Sequence, residues 1–505
     1  MDRRTFIQRS MLAAGGLSLY SGLAAQGALH DERRTDHSGK RPNILLILAD
    51  DLGYGDISCF RGGSPWISVV PGPNDITIST PCIDRLAGEG VSFTDFHSND
   101  AVCSPTRASL LTGKYNQRTG VCNVLGQLGN AMVKVAKPGE IPFTGLRPEE
   151  MTVAEILKDN GYRTGCFGKW HLGPMETHHP LLNGFDEFVG VEGSAGDNFS
   201  MEQKGKSYFY RGRTTAKAPG GWFTDVLADE AVRFMQKNDD APFFAYVPFT
   251  APHLPYVGPN DKAIADAWDE KGDSPRSDLY RAYKDVVEGM DKAVGRIIDA
   301  LKRSDLFENT LILFSSDNGP VDHGSPGGFS GRKTNLFEAG TRVPTIACWQ
   351  GKIKAGTVCR EPAMSMDLFS TICGAANIMV PAQVLADGVD LCPVLTQSKG
   401  MERRLLFWER PAGVSMKNFH IRRAAVRDGR WKLLQDRSGT PFRLFDLSAD
   451  PREEHDLASS MPEKVTQLRS AFEEWKKRVY ADAPWDYDEY LDRFEKAGIL
   501  VREKH

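Results

Sequence analysis

Cys103 begins a short segment whose residue types suit chemistry on an anion. The run Cys103-Ser104-Pro105-Thr106-Arg107 continues as far as Gly113. Proline in the first turn and glycine just past the end are typical of a helix, so we predict that Cys103 lies at a helix N-terminus. Unpaired N–H groups and the helix dipole favour an anion at such a place. Arg107, one turn along, carries a planar fork of donors suited to sulfate or phosphate.

A cysteine considered alone also has plainer interpretations. Cys103 is compatible with a small buried apolar residue or with one half of a disulfide. A tyrosine-phosphatase loop is disfavoured, because Cys103 and Arg107 are too close in sequence for it. The other cysteines of the nine permit disulfides in an oxidising compartment without fixing their pairing. No two cysteines have the CxxC spacing of a structural zinc site.

Oxygen-bearing side chains follow two apolar runs. The segments 43–49 and 310–315 are continuous enough to predict strands buried on both faces. Carboxylate and amide oxygens are the ligands that calcium and magnesium prefer. Neighbouring aspartates also form turns and helix caps, but two such clusters after separate strands favour a metal site. The candidate ligands are Asp50, Asp51, Asp317 and Asn318.

Basic and protonatable groups follow two further apolar runs. The segments 163–167 and 243–249 read as strands, although Pro248 indicates an edge or a strand end. A single histidine is usually structural, yet two of them follow predicted strand ends, which favours a site. With Arg107, the candidates are Lys169, His171, His253 and Lys333.

Helices separate these strands. Thr152 and Glu155 form a capping box, and apolar residues between Tyr283 and Leu301 recur at helical spacing. Alternating helices and buried strands predict an α/β fold, with a large, mostly parallel sheet between helices. In such sheets ligands bind beyond the carboxyl ends of the strands, where the polar clusters fall.

The C-terminal part has a different texture. Two strand-like runs flank Asp428-Gly429, which predicts a β-hairpin, and residues 442–447 add a third strand. An amphipathic helix is expected over 462–479. We therefore predict a catalytic domain over residues 41–394 and a smaller α+β subdomain with an antiparallel sheet over 395–505.

The N-terminal sequence is typical of an export signal. Asp2-Arg3-Arg4-Thr5-Phe6-Ile7-Gln8 is a twin-arginine pattern, followed by a weakly apolar stretch and small residues. We expect a twin-arginine-type signal peptide over 1–28, a linker over 29–40, and a periplasmic or secreted protein. A Sec signal or an uncleaved anchor stays open. No later segment has the length of a permanent membrane span.

Composition limits the partners. The 505 residues suffice for two domains, and the formal charge of -4 gives no general attraction to nucleic acid or anionic membranes. An anionic ligand must therefore be held by local groups.

Taken in order, the motifs resemble those of type I, formylglycine-dependent sulfatases, the arylsulfatase-like enzymes of the alkaline phosphatase superfamily. The resemblance covers nearly all of the expected mature chain. Each piece is weak alone, but their order and combination are specific. The matching stretches are Asp50–Asp56, Cys103–Gly113, Gly168–Gly173, Ala251–His253, Asp317–Gly319, Gly331–Lys333 and Glu338–Pro344.

The resemblance implies an alkaline-phosphatase-like fold and a role for each residue. Cys103 would be oxidised by a maturation enzyme to formylglycine (3-oxoalanine), whose hydrate is the nucleophile. Calcium would be held by Asp50, Asp51, Asp317 and Asn318 with an oxygen of residue 103. Arg107 and Lys169 would orient the hydrate and polarise sulfate, and Asp317 would help to deprotonate it. Lys333 and His253 would grip sulfate and assist departure of the alcohol. His171 would accept a proton when sulfate is released.

The implied activity is hydrolysis of sulfate esters in a small molecule or glycan, and the expected substrate is a sulfated carbohydrate. A phosphodiesterase or phosphonate monoester hydrolase on the same fold, and a non-catalytic binder of sulfated glycans, stay open. The proline- and glycine-rich stretch 61–77 and Arg332 depart from the common pattern. For polar residues near the motifs, the role of a loop cap or an exposed side chain is more common than contact with a substrate. The candidate substrate contacts are His97, Asn99, His178, His179, Asp197, Asn198, Asp322 and His323.

Overall fold

The structure is a computed structural model that describes residues 40–61, 77–138, 140, 142–193, 198–203, 206–237, 240–268, 274–397, 399–410, 423–437 and 439–498. The predicted signal peptide, nearly all of the predicted linker, and residues 62–76 of the proline- and glycine-rich stretch lie outside these ranges. Residues 41 to 505 form one unit, which is the subject below.

Strands make up a large sheet, a four-stranded sheet and two short pairs. They are β1 (Asn43–Ala49), β2 (Val91–Phe93), β3 (Phe96–His97), β4 (Arg163–Lys169), β5 (Glu187–Val191), β6 (Glu202–Gln203), β7 (Lys206–Ser207), β8 (Tyr210–Arg211), β9 (Thr214–Thr215), β10 (Phe243–Pro248), β11 (Thr310–Ser316), β12 (Thr345–Cys348), β13 (Thr357–Cys359), β14 (Ala363–Met364), β15 (Leu405–Arg410), β16 (Arg423–Asp428), β17 (Trp431–Gln435) and β18 (Arg443–Asp446).

Helices of very different length connect the strands. They are α1 (Ser58–Arg61), α2 (Pro81–Glu89), α3 (Cys103–Thr112), α4 (Asn116–Thr119), α5 (Gln127–Val135), α6 (Val153–Asp159), α7 (Met175–His178), α8 (Phe223–Met235), α9 (Lys262–Asp266), α10 (Leu279–Arg303), α11 (Glu338–Thr341), α12 (Asp367–Ala375), α13 (Cys392–Gln397), α14 (Pro462–Tyr480) and α15 (Tyr487–Lys496). Short 3₁₀ turns occur at Tyr54–Asp56 and Pro180–Leu182.

The large sheet has the strand order β13-β2-β12-β11-β1-β10-β4-β5-β8-β9. Its five central strands, β11-β1-β10-β4-β5, run parallel, and antiparallel pairs occur toward both edges. The predicted α/β fold with a mostly parallel sheet is confirmed. Because the central strands are parallel, their carboxyl ends lie at one edge of the sheet.

Both faces of the sheet are buried, as the continuous apolar strands predict. Alternate residues of β1 contribute to two different apolar clusters, with Leu46 on one face and Leu45 on the other. The long helix α10 covers one face. Its predicted apolar stripe from Tyr283 to Leu301 is buried against the cluster that contains Leu45.

The C-terminal sheet is antiparallel, with the order β15-β16-β17-β18. The expected hairpin forms between β16 and β17, and Gly429 adopts the positive φ of 59° that its turn requires. Helix α14 packs on this sheet, and Trp475 stacks on Phe407 with ring centroids 5.1 Å apart. The predicted antiparallel sheet and helix are confirmed, whereas the boundary at residue 395 stays a prediction.

Buried ion pairs attach the C-terminal sheet to the large one. Arg427 of β16 donates to Asp95 at 2.5 Å, and Lys432 of β17 lies 2.9 Å from both Glu338 and Glu453. Asp95 keeps 14% side-chain exposure and the other groups are buried, so loss of one partner would leave a charge uncompensated. The attachment is thus polar and depends on specific pairs.

No helix among the described residues is long and apolar enough to cross a membrane. All nine cysteines lie in the described part of the chain, and each has a free thiol there.

His97 belongs to this junction. Its Nε2 lies 2.8 Å from Asp95 and 2.7 Å from Arg427, and the side chain is fully buried. Burial lowers the pKa of His97 from 6.5 to about 4. Such surroundings favour a structural role over contact with a substrate.

We expect His97 to make the protein less stable in acid. Between pH 6.5 and about pH 4 the unfolded chain binds a proton at His97 that the native state does not bind. The free energy of unfolding should therefore decrease by about 3 kcal/mol as the pH is lowered through this range. Urea unfolding between pH 7 and 4 should show a smaller loss for His97→Gln. The exposed His455→Gln is the control and should keep the wild-type pH dependence. Equal slopes for His97→Gln and wild type would contradict this assignment.

Candidate active site

Four central strands deliver polar groups to one edge of the sheet. Asp50 and Asp51 follow β1, and Asp317 and Asn318 follow β11, which is paired with β1. On the other side of β1, β10 leads toward His253 and β4 ends at Lys169. All these side chains except that of His253 are essentially inaccessible to solvent.

Cys103 is the first residue of α3, as predicted, and Gly113 ends that helix in the left-handed conformation. The Cys103 thiol is buried. It donates to Asp50 Oδ1 at 3.5 Å, and Lys333 Nζ approaches its Sγ at 3.5 Å. The N-terminus of α3 therefore points Cys103 into the polar cluster.

Arg107 connects α3 to two of the strand ends. Its Nε and Nη2 donate to Asp317 Oδ2 at 2.9 and 2.7 Å, and its Nη1 donates to the Lys169 carbonyl at 3.0 Å. Lys169 Nζ in turn donates to Asp50 at 2.7 Å. These charged contacts bring four of the predicted residues into one buried network.

Lys333 and His253 both contact Asp51. Lys333 Nζ lies 2.6 Å from Asp51 Oδ1, and His253 Nε2 lies 3.6 Å from Asp51 Oδ2. His253 Nδ1 is 2.7 Å from the Leu254 carbonyl, so Nδ1 donates there and Nε2 faces the carboxylate. Lys333 and His253 retain 14% and 24% side-chain exposure, whereas Arg107 and Lys169 have none.

The oxygen donors of the site fit a hard cation. Asp50, Asp51, Cys103 and His253 present ligand atoms within 4.8 Å of one another. Asn318 Nδ2 donates to Asp51 and to the Gly319 carbonyl, and its buried Oδ1 has no hydrogen-bond partner among the described residues. A buried amide oxygen without a donor, beside several carboxylates, suits coordination by calcium or magnesium.

The carboxylates have unequal electrostatic surroundings. Burial alone would raise the pKa of Asp50, but the charge of Lys169, aided by His253, Arg107 and Lys333, lowers it well below its usual value. Burial and the neighbouring charge of Asp50 raise the pKa of Asp317 to about 6. Asp50 is thus the more firmly ionised group.

A thiolate is disfavoured at this position. Burial raises the pKa of Cys103 to about 12, even though Lys169 and Lys333 lie nearby. Because the thiolate is the reactive form of cysteine, unmodified Cys103 is a poor nucleophile here.

His171 is placed as a neutral base. Burial and the charge of Lys169 lower its pKa well below the usual value, and its buried Nδ1 has no hydrogen-bond partner in the described part of the chain. His171 also has a positive φ of 57°, and Asp51 has one of 68°. Strained backbone of this kind clusters at functional sites.

The candidate substrate contacts have mixed surroundings. Both ring nitrogens of His179 contact backbone groups, Gly212 O at 2.8 Å and Leu181 N at 3.1 Å, and the residue is buried, which favours a structural role. His178 contacts the hydroxyl of Thr177 at 2.6 Å. Asn198 Nδ2 donates to the Pro255 carbonyl. Asp197 lies outside the described residues.

The remaining three candidates differ in their accessibility. The His323 ring packs edge-on against Tyr256 and Tyr280 and stays partly accessible. Asp322 forms an exposed ion pair with Arg332. Asn99 is buried, and its Oδ1 accepts from the Met366 amide at 2.8 Å.

Sequence reasoning missed the support of Lys333. Thr334 has a φ of 81°, which costs a β-branched residue about 1–3 kcal/mol. Its carbonyl accepts hydrogen bonds from Arg410 and Arg423 of the C-terminal sheet. Nothing in the spacing of these residues signals the contact, because they come together only when the two sheets pack.

The chain is similar to sulfatases along most of its length. Residues 42–378 match the family model described as Sulfatase, and residues 327–478 match the model described as N-sulphoglucosamine sulphohydrolase, C-terminal. The N-acetylgalactosamine-6-sulfatase of Sus scrofa is 34% identical over 386 residues, covering 73% of this chain and 68% of that protein. The steryl-sulfatase of Rattus norvegicus is 32% identical over 439 residues, covering 71% and 70%.

Solved structures share the architecture. Ps i-CgsB, in complex with k-i-k-neocarrahexaose, has a TM-score of 0.74 and 28% identity, covering 91% of this chain and 98% of that one. The phosphonate monoester hydrolase of Agrobacterium radiobacter has a TM-score of 0.57 and 22% identity, covering 88% and 96%, and is similar in fold alone.

Proposed function

From the premise that the chain belongs to the sulfatase family and is a sulfatase, we propose that it hydrolyses the sulfate ester of a carbohydrate with a formylglycine made from Cys103. The observation that carries the proposal is the position of Cys103. It lies at the start of α3, within 3.5 Å of both Asp50 and Lys333. An oxygen nucleophile at this place would meet a cation site on one side and a basic side chain on the other.

A carbohydrate is supported by relatives in two comparisons. The N-acetylgalactosamine-6-sulfatases share 33 to 34% identity with this chain, and Ps i-CgsB is bound to an oligosaccharide. The steryl-sulfatase relatives are named for a different substrate class, so a steroid sulfate belongs in any substrate test.

We propose calcium as the metal. Asp50, Asp51, Asp317 and Asn318 would hold it, together with an oxygen of modified residue 103. Their side chains supply only oxygen, and the partnerless Oδ1 of Asn318 needs such a neighbour. A bound cation would offset negative charge on the sulfate and on the nucleophile.

We assign the roles of the basic side chains from their exposure to solvent. Arg107 and Lys169 are inaccessible and would fix the nucleophile and polarise sulfate from the protein side. Lys333 and His253 face the accessible side, where the alcohol must leave, so one of them would donate the proton to the leaving oxygen. Neutral His171 would accept a proton as sulfate is released.

Residues 1–28 and the maturation step complete the proposal. A twin-arginine signal exports folded protein, so we propose that a maturation enzyme oxidises Cys103 before export to the periplasm or beyond. Oxidation before folding is consistent with the full burial of Cys103 in the structure.

We expect Cys103→Ala to lose nearly all activity on an aryl sulfate, by roughly a thousandfold or more in kcat, because the nucleophile is gone. The control is Cys166→Ala, which removes a buried thiol in β4 and should keep kcat within about twofold. Mass spectrometry should find the Cys103 peptide of the active protein lighter by one sulfur-for-oxygen exchange and two hydrogens. Full activity of Cys103→Ala, or an unmodified thiol in active protein, would contradict the proposal.

Calcium should stabilise the protein after metal has been removed with a chelator. At a hundredfold excess over Kd, the free energy of unfolding should rise by about 2.7 kcal/mol. Asp51→Asn should lose most of this gain, because it removes a central charge from the site. Asp450→Asn, in the more accessible cluster of Asp450, Glu454 and His455, is the control and should keep this gain. Urea unfolding of each variant with and without calcium measures the gain, and an unchanged gain for Asp51→Asn would exclude this site.

A substrate panel separates sulfate hydrolysis from the phosphonate hydrolase alternative. The modified enzyme should have at least about tenfold higher kcat/KM on aryl sulfate than on aryl phosphate diester or phosphonate monoester. Among natural-type esters, sulfated oligosaccharides should exceed a steroid sulfate. A higher kcat/KM on the phosphorus esters would reassign the reaction, and a preference for the steroid would reassign the substrate class.

A further inference from the structure

The segment that carries Lys333 is held in an unfavourable conformation. Thr334, the next residue, has a φ of 81°, a region that β-branched residues avoid. The backbone therefore tends to relax unless other groups fix it. Any relaxation at Thr334 would move Lys333, whose Nζ lies 3.5 Å from Cys103 Sγ and 2.6 Å from Asp51.

Three hydrogen bonds fix Thr334. Its amide donates to the Ala101 carbonyl at 2.8 Å. Its carbonyl accepts from Arg410 Nη1 and from Arg423 Nη1, the latter at 3.0 Å. Arg410 is the last residue of β15 and Arg423 is the first residue of β16, so both donors belong to the C-terminal sheet.

Arg410 also contacts the segment that leads to Cys103. Its Nε lies 3.0 Å from Asp100 Oδ1, and both side chains are almost completely buried. Ala101, which accepts from Thr334, is the next residue after Asp100. One guanidinium therefore joins the Asp100 side chain, three residues before Cys103, to the backbone carbonyl of the residue after Lys333.

Attachment of the sheet does not by itself require this contact. Arg427 and Lys432 already join the same sheet to the large one through other partners, Asp95 and Glu338. Arg410 is distinguished from them by its partners, which adjoin the two segments carrying Cys103 and Lys333.

We propose that Arg410, assisted by Arg423, is a positioning residue that sets the distance between Lys333 and residue 103 through the Thr334 carbonyl. The C-terminal sheet then completes the active site from outside, without touching substrate. This inference rests on the proposed function, since it concerns the approach of Lys333 to the formylglycine position.

The test is a double-mutant cycle of Arg410→Ala and Lys333→Ala, with kcat and KM for an aryl sulfate. Each variant is corrected for folded fraction and for formylglycine content by mass spectrometry. Arg410→Ala should lower kcat about tenfold to a hundredfold and change KM less than about threefold. In the Lys333→Ala background, Arg410→Ala should lower kcat by no more than about twofold further. Full additivity would overturn the inference.

Control variants separate positioning from stability. Arg427→Ala breaks another largely buried pair of the same sheet and should keep kcat of the folded, modified enzyme within about twofold. Arg410→Lys keeps one charge but cannot hold both partners, so its kcat should lie between wild type and Arg410→Ala. If Arg410→Ala fails to fold, the cycle is run with Arg423→Ala, which leaves the Asp100 pair intact; additivity there counts equally against the inference.

The inference and the proposed function fail in different ways. An active Cys103→Ala would remove the proposed function and with it the basis of this test. An inactive Cys103→Ala together with an Arg410→Ala enzyme of unchanged kcat would overturn only the positioning role.

Discussion

The burial of three carboxylates at one edge of the sheet is the constraint on which the rest of the site depends. Asp50, Asp51 and Asp317 are all inaccessible to water, and an uncompensated charge in such a place costs several kcal/mol. The positive partners Arg107, Lys169 and Lys333 come from three other parts of the chain. Bringing the cations into place is therefore part of folding the site, because neither set of charges is tolerable without the other.

The same charges explain how a protein of net charge -4 can bind an anionic ester. Binding cannot rely on a long-range positive field, so it must rely on a few cations in a region of low dielectric. Arg107 and Lys169 are buried and form ion pairs with carboxylates, whereas Lys333 and His253 remain partly accessible to solvent. An entering sulfate would meet the accessible pair first, and these two groups are also the ones near a departing alcohol.

The sequence predicted most of this arrangement because the relevant signals are local. The apolar run 43–49, the proline and glycine that bound α3, and the capping box at Thr152 each fix an element within a few residues. Parallel strands then bring their polar ends together, which places Asp317 beside Asp51 without further information. The roles of two histidines were less predictable, since His97 and His179 contact partners that no local pattern identifies. The contacts of Thr334 with its two arginines were unpredictable for the same reason.

The support of Lys333 shows why such contacts between distant residues matter for the chemistry. Strand ends can place a residue such as Lys169, because its backbone is held in the ladder with β5. Lys333 has no such ladder and lies in a loop with a strained neighbour. A loop of this kind needs donors from another element to hold its carbonyls, and the C-terminal sheet supplies them through Arg410 and Arg423. The reach of Lys333 toward residue 103 is thus determined by the packing of two sheets that are far apart in sequence.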